Sequence, residues 1–488
     1  MRHLRPLPLL LLLLLPGRLL AADAKTPLPA LGHWEGTIQI PGVELLVKVD
    51  LAQEGEAFKG TIDIPQQGAK GLPLEGIAVP AGAEGKVHFA IQGIPGAPAF
   101  DGTLAAGEIK GTFSQGGQSF PFHLGREALK PTPTTPPTPR PQEPKPPFPY
   151  KAEEVGYEAN GVHLAGTLTL PPGEGPFPAV LLITGSGAED RNEEVFGHKP
   201  FLVIADHLTR ARIAVLRVDD RGVGGSTGNT PLSTTADFAG DALAGVRFLK
   251  AHPHIAPGRI GLLGHSEGAL IAPLAASRSK DVAFIVMLAG TGVPGSEVIL
   301  DQGARIARAE GAPEEKIRAQ TADQKKIFEL MRTEKDPVAL RAKLREVVRA
   351  QVAGIPEAER KALGGDPDKF IDVQVDGVLS PWFRFFLTYD PRPALALVKV
   401  PVLALNGERD LQVNPDLNLP EIEKTLKAAK NPDVTIRRLP ELNHLFQHAK
   451  TGAVSEYAKS EETMSPEVLD IVTKWILERF GKTASQAR

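Results

Sequence analysis

The pentapeptide Gly264-His265-Ser266-Glu267-Gly268 constrains this chain more than any other feature. It follows directly on the apolar run 260–263 and precedes Ala-Leu-Ile-Ala-Pro-Leu-Ala-Ala, which reads as a helix. A strand that turns straight into a helix around Gly-x-Ser-x-Gly holds its serine on a sharp, strained turn with the hydroxyl exposed. The flanking glycines give that turn its room. A serine hydroxyl is a poor nucleophile until a base takes its proton, so Ser266 calls for a histidine and for an acid to orient it.

For this strand–turn–helix nucleophile the partners follow in the order serine, acid, histidine. Residues 402–405 form an apolar run ending in Asn406-Gly407-Glu408-Arg409-Asp410, a strand end and a glycine turn. Asp410 is the expected acid, with Glu408 as the alternative, because either carboxylate can orient an imidazole. The strand-like run 434–439 leads into Pro440-Glu441-Leu442-Asn443-His444. His444 is the expected base and His448, four residues on, its competitor. His265 is read as a packed neighbour of the nucleophile. Acyl transfer also needs donors aimed at the developing oxyanion. One is the backbone N–H of Glu267. The other is expected in Thr184-Gly185-Ser186-Gly187, from Ser186 or, failing that, Gly187.

Around these segments the pattern is that of a doubly wound sheet. Apolar runs at 179–183, 213–218, 260–263, 283–288 and 402–405 read as buried parallel strands, separated by helical periodicity. Residues 298–397 break the alternation with charged, helically spaced sequence. They are read as a lid over the carboxyl ends of the strands, where ligands bind in such sheets, the alternative being a packing insertion elsewhere. Trp382, Phe383 and Phe386 are expected either to line a substrate pocket or to fill the core of that lid. Asp219-Asp220-Arg221 and Asp190-Arg191 are read as paired charges bracing the loops. The glycines after Arg221 lack the Lys-Ser/Thr ending of a phosphate loop.

The first third of the chain is different. Residues 31–126 alternate apolar and polar positions, as in Leu45, Val47, Val49 and Leu51, which is the period of half-buried strands. Gly-Thr recurs before an apolar residue at Gly36, Gly60, Gly102 and Gly111, and each is read as a turn feeding a strand. A small all-β, barrel-like domain is expected. The proline-rich stretch 127–149 is expected to be an extended spacer, and the catalytic domain to span 150–484. Before all this, two early arginines, the leucine run 9–15 and Ala21-Ala22 have the order of a secretory signal. Residues 1–22 are therefore expected to be removed, with the mature protein secreted or periplasmic and without a stable membrane span.

With no cysteine, the 488-residue chain has no thiol nucleophile, thiolate zinc site or disulfide. A net charge of −3 without basic blocks gives no footprint for nucleic acid. The oligomeric state is left open.

Gly-Ser-Gly-Ala-Glu-Asp-Arg-Asn, Asp-Arg-Gly-Val-Gly-Gly-Ser, Gly-His-Ser-Glu-Gly and Leu-Asn-His-Leu-Phe-Gln, taken together, resemble bacterial α/β-hydrolase carboxylesterases of the EstD type over about residues 150–480. The chain departs at Thr184, where many such enzymes carry histidine before the oxyanion glycine. The resemblance implies an α/β-hydrolase fold, small-molecule ester substrates of short to medium acyl chain, and no cofactor. A serine peptidase or aminopeptidase and a thioesterase are the alternatives on the same machinery.

Overall fold

Alternating strand sequence closes on itself at the N-terminal end of the described chain. The computed structural model describes residues 28–40, 43–55, 57–64, 69–92, 98–115, 118–126, 138–354 and 367–481. The leader expected at 1–22 lies outside them. Among the described residues, eight strands form a closed antiparallel barrel in simple sequence order. They are β1 (Gly32–Ile40), β2 (Val43–Glu54), β3 (Ala57–Ile64), β4 (Ala69–Ala78), β5 (Gly85–Ile91), β6 (Ala99–Ala105), β7 (Glu108–Gln115) and β8 (Gln118–Gly125). Every second residue points inward, so Leu45, Val47, Val49 and Leu51 join Trp34, Phe89, Phe100 and Phe122 in one core. Phe100 lies 4.7 Å from Phe89 and 5.0 Å from Phe122, ring centre to ring centre. The interior is thus filled with rings. Arg126 caps it, its guanidinium 3.7 Å from the Trp34 ring centre.

The Gly-Thr repeats are not turns before strands. Gly36, Gly60, Gly102 and Gly111 all sit inside strands. A Cβ on Gly36 would lie 1.8 Å from the His123 carbonyl oxygen, and one on Gly111 2.0 Å from that of Asp101. Gly102 and Gly111 face each other across β6 and β7. A narrow barrel has to bend its strands sharply, and glycine marks the places where backbones close in.

From residue 151 an eight-stranded mixed sheet takes over, in the order β16-β15-β14-β13-β11-β12-β10-β9. Its strands are β9 (Lys151–Ala159), β10 (Val162–Leu170), β11 (Phe177–Ile183), β12 (Ala214–Val218), β13 (Ile255–His265), β14 (Phe284–Leu288), β15 (Val402–Gly407) and β16 (Val434–Leu439). β11 to β16 run parallel, and β9 and β10 add an antiparallel edge. Successive residues of β11 serve opposite faces. Ala179, Leu181 and Ile183 pack with helices α2 (Thr235–Ala251) and α3 (Glu267–Ala276), while Val180 and Leu182 pack with α1 (Pro200–Arg210). Burial on both faces is why these strands read as unbroken apolar runs.

Between β14 and β15 lies the expected helical insertion. Its described helices are α4 (Gly295–Ala309), α5 (Glu314–Thr333), α6 (Pro337–Ala353), α7 (Pro367–Leu379), α8 (Pro381–Thr388) and α9 (Arg392–Leu397). α5, α6 and α7 share a core of their own around Leu344, Val348 and Val375. After β15 comes α10 (Pro415–Ala428), and α11 (Pro466–Phe480) ends the described chain.

The proline-rich segment is more than the extended spacer expected of it. Residues 127–137 lie outside the description, but the part from 138 onward is docked on the hydrolase sheet domain. Arg140 donates to the carbonyls of Phe196, Gly197, Ala458 and Ser460 at 2.5–3.1 Å. The Gln142 side chain bonds the backbone of Thr463 and Met464. Composition predicts the stiffness of a proline-rich chain, but not that a guanidinium with five donors will meet loop carbonyls.

Candidate active site

Ser266 occupies the turn between β13 and α3 with φ 53° and ψ −115°. Such a conformation costs a non-glycine residue about 1–3 kcal/mol, which the surroundings must offset. A Cβ on Gly264 would lie 2.0 Å from the carbonyl of Gly268, and one on Gly268 2.0 Å from the Ile183 oxygen. Both glycines are therefore sterically required, and the Ser266 N–H is fixed by a 2.9 Å bond to the Leu288 carbonyl.

Asp410 is fully buried beyond the end of β15. Its Oδ1 accepts from the N–H groups of Gln412 and Val413, both at 2.8 Å. Oδ2 accepts from His444 Nδ1 at 2.9 Å. With Nδ1 as donor, Nε2 is left to accept a proton. The alternatives stand elsewhere. Glu408 is exposed, and His448 is an exposed partner of Glu462 at 2.9 Å. Gly407 lets the histidine loop close in, since a Cβ there would lie 2.3 Å from the Leu442 carbonyl. Asn443 fixes that loop from within, its Oδ1 accepting from the amides of Leu445 and Gln447.

Ser266 and His444 line one cavity of about 390 Å³. Ser186 and Glu267, the residues expected to supply oxyanion amides, line it as well. Glu267 is the first residue of α3, where helix N–H groups are unpaired and the helix dipole favours negative charge. The Gly185 N–H is already committed to Glu193 Oε1 at 2.8 Å, which leaves the next amides of the loop for an oxyanion. The paired charges brace these loops as expected. Arg191 makes bonds of 2.7 and 3.0 Å to Asp219, and Arg221 bonds of 2.6 and 2.7 Å to Asp241 of α2. Asp220 accepts from the Thr184 hydroxyl at 2.8 Å, which gives Thr184 a bracing part at the position where the resemblance suggests histidine.

The insertion supplies the cavity's far wall. Val298, Ile299 and Gln302 come from α4, and Trp382 and Phe386 from α8. Phe383 is not among the lining residues. It lies one position round the helix and faces Phe328 of α5 at 6.5 Å, in the lid. Residues four apart share a helix face and adjacent ones do not. Trp382 is also fixed chemically, its indole N–H lying 2.8 and 3.0 Å from the two oxygens of the Glu267 carboxylate. The Thr235 hydroxyl adds a 2.7 Å bond. Burial raises the Glu267 pKa against the lowering effect of these bonds.

Several lining residues were not singled out from sequence. Phe196 and Tyr457 meet edge to face at 5.5 Å on one wall. Glu189 and Glu193 bring two more carboxyls. Burial, with Glu193 and the neighbouring aspartates, pushes the Glu189 carboxyl up to about 8. Glu193 and Phe196 both adopt positive φ, a strain that leaves no trace in residue type. Among the described residues no group of three or more His, Asp or Glu is placed to hold a metal ion, and no helix is long and apolar enough to cross a membrane.

A doubly wound sheet with a strained serine elbow, a buried histidine–aspartate pair and a helical insertion over one cavity defines a class of hydrolase. The chain belongs to the alpha/beta hydrolase family, whose sequence model matches residues 180–456. It is 28% identical over 331 residues to esterase EstD of Thermotoga maritima, covering 68% of this chain and 69% of that protein. Similar solved structures include the Pyrococcus furiosus esterase Pf2001 (18% identity, 68% of this chain, 91% of that one, TM-score 0.41). Est1E of Butyrivibrio proteoclasticus is another (17% identity, 67% and 99%, TM-score 0.38).

Proposed function

We propose that this protein is a serine carboxylesterase acting on short- to medium-chain acyl esters through an acyl-enzyme on Ser266. The observation that carries this reading is the 2.9 Å pair of His444 and Asp410, with His444 opening on the cavity that holds the strained Ser266. His444 takes the Ser266 proton as the hydroxyl oxygen attacks the ester carbonyl. Asp410 holds the imidazole in the required tautomer and stabilises its charged form. The amides of Glu267 and Ser186 receive the oxyanion. His444 then returns the proton to the leaving alcohol, and a water activated the same way releases the acid. A cavity of about 390 Å³ suits a small ester. Trp382 and Phe386 offer the acyl chain an apolar wall. The reading includes export, motivated by the order of residues 1–22; the intact mass of the mature protein tests it, a chain beginning at Asp23 being expected.

The decisive experiment is Ser266→Ala assayed on p-nitrophenyl esters of two to twelve carbons. The variant is expected to melt like the parent and to lose at least about a thousandfold in kcat. The parent should label with a fluorophosphonate and favour the shorter chains. Retention of most turnover in the variant overturns the assignment.

A further inference from the structure

We propose that His265 and Glu193 form a positioning pair that locks the nucleophile, oxyanion and base loops into one arrangement. This rests on the esterase reading above. The pair is buried, with 6% and 4% of the two residues exposed. His265 immediately precedes the nucleophile. Its Nδ1 lies 3.0 Å from Glu193 Oε1, and its Nε2 lies 3.0 Å from the backbone carbonyl oxygen of His444. The same Glu193 oxygen accepts the Gly185 N–H at 2.8 Å. Two side chains thereby join the turn that carries Ser266, the loop that carries Ser186 and the loop that carries His444. The ring of His265 also lies against that of His444, centre to centre 4.8 Å.

Both ring nitrogens of His265 face acceptors, one a carboxylate and the other a carbonyl. A neutral imidazole has one N–H and satisfies one of them, while an imidazolium satisfies both. The geometry therefore favours the charged ring. Burial alone works against it, but the Glu193 charge and hydrogen bond outweigh burial and raise the His265 pKa to about 9. The titratable groups facing the ring are Glu193 and Glu189 from the oxyanion loop, Asp410 from the acid loop and His444 from the base loop. Since its pKa is raised above 6.5, the proton is held through neutral pH and lost as pH rises through about 9. Deprotonation frees one of the two acceptors and loosens the base loop or the oxyanion loop. A misplacement of about 1 Å at such a centre costs on the order of a hundredfold in rate.

The test uses the full chain with His265→Asn, Glu193→Gln and the double variant. It reads the rate of fluorophosphonate labelling, kcat and KM separately on a short ester, and kcat/KM from pH 6 to 10. Each single variant is expected to lose about tenfold or more in labelling rate and kcat, with KM within about threefold. The double variant should lose little beyond the worse single one, as partners in one unit do. The parent's decline above pH 9 should be absent from both. Glu193→Gln keeps the shape and can still accept from Gly185, so it decides the matter if His265→Asn does not melt cooperatively. Labelling and turnover within about twofold of the parent overturn the proposal, as does an unchanged alkaline decline. A parent that fails to label is a different result, because it removes the esterase reading itself.

Discussion

The carboxyls around the cavity set what it will admit. Glu189, Glu193 and Glu267 line it, together with His265 and His444 but no lysine or arginine. Glu193 is balanced by His265, and Glu267 is held by Trp382 and Thr235. Glu189 shows what a further charge would meet, since its own carboxyl is pushed up to about 8 by burial and by its acidic neighbours. An ester carrying a carboxylate enters the same field, and like charges about 8 Å apart repel by roughly 2 kcal/mol at an effective dielectric of 20. Monomethyl succinate should therefore be hydrolysed at least about tenfold less efficiently than dimethyl succinate, in kcat/KM at pH 7.5. Equal efficiencies would show that the acidic lining is shielded from substrate. The grouping of Ser266 with His444 on one cavity, and of His444 with Asp410, was legible in the sequence because each residue is announced by its own neighbours: a glycine-flanked serine, a strand end with a glycine turn, and a loop after the last strand. His265 and Glu193 were not. They stand 72 positions apart, and only folding makes them partners.

Strands and helices were legible to the extent that periodicity defines them. The buried runs of the parallel sheet and the alternation of the barrel follow from which faces are covered. The mid-strand glycines escaped because Gly-Thr before an apolar residue looks the same whether the chain turns there or a strand merely bends. Phe383 escaped because periodicity gives the faces of α8 without saying which one meets the cavity. Gly111→Ala places a methyl group 2.0 Å from the Asp101 carbonyl oxygen and 2.5 Å from the Gly102 Cα, both of them backbone. Overpacking of this kind costs about 1–3 kcal/mol, which is roughly fivefold to 150-fold in the opening equilibrium. Hydrogen exchange of the β6 and β7 amides in the full chain should accelerate by that factor. Gly82→Ala, where nothing lies within 4 Å, should leave it unchanged. If both variants exchange alike, the strands yield where the geometry says they cannot.

Where the proline-rich segment ends and the hydrolase begins decides how the chain can be cut. From sequence alone, a boundary near Pro149 separates two modules joined by a spacer. The contacts of Arg140 and Gln142, in the docked strap, carry the hydrolase domain's own structure N-terminal of Pro149. Arg140 holds the carbonyls of Phe196 and Ala458, and Phe196 packs on Tyr457, so the strap supports a wall of the cavity without lining it. Gln142 ties the same region to the segment just before α11. Hydrogen bonds of this kind contribute about 1 kcal/mol each, and removing Arg140 leaves several carbonyls without their donor. Two truncations separate the barrel from the strap. A chain beginning at Thr138 keeps Arg140 and Gln142, and should match the full chain in melting temperature and in turnover of a short ester. A chain beginning at Pro149 lacks them. It should melt several degrees lower, as a loss of about 2 kcal/mol implies for a domain of this size. Its KM should rise more for a ten-carbon acyl ester than for a two-carbon one, because Phe196 and Tyr457 lose their support while the Ser266 elbow does not. If the two truncations behave alike, the strap is a passive attachment. If the chain beginning at Thr138 has already lost activity, the barrel itself takes part in catalysis and the two modules do not work independently.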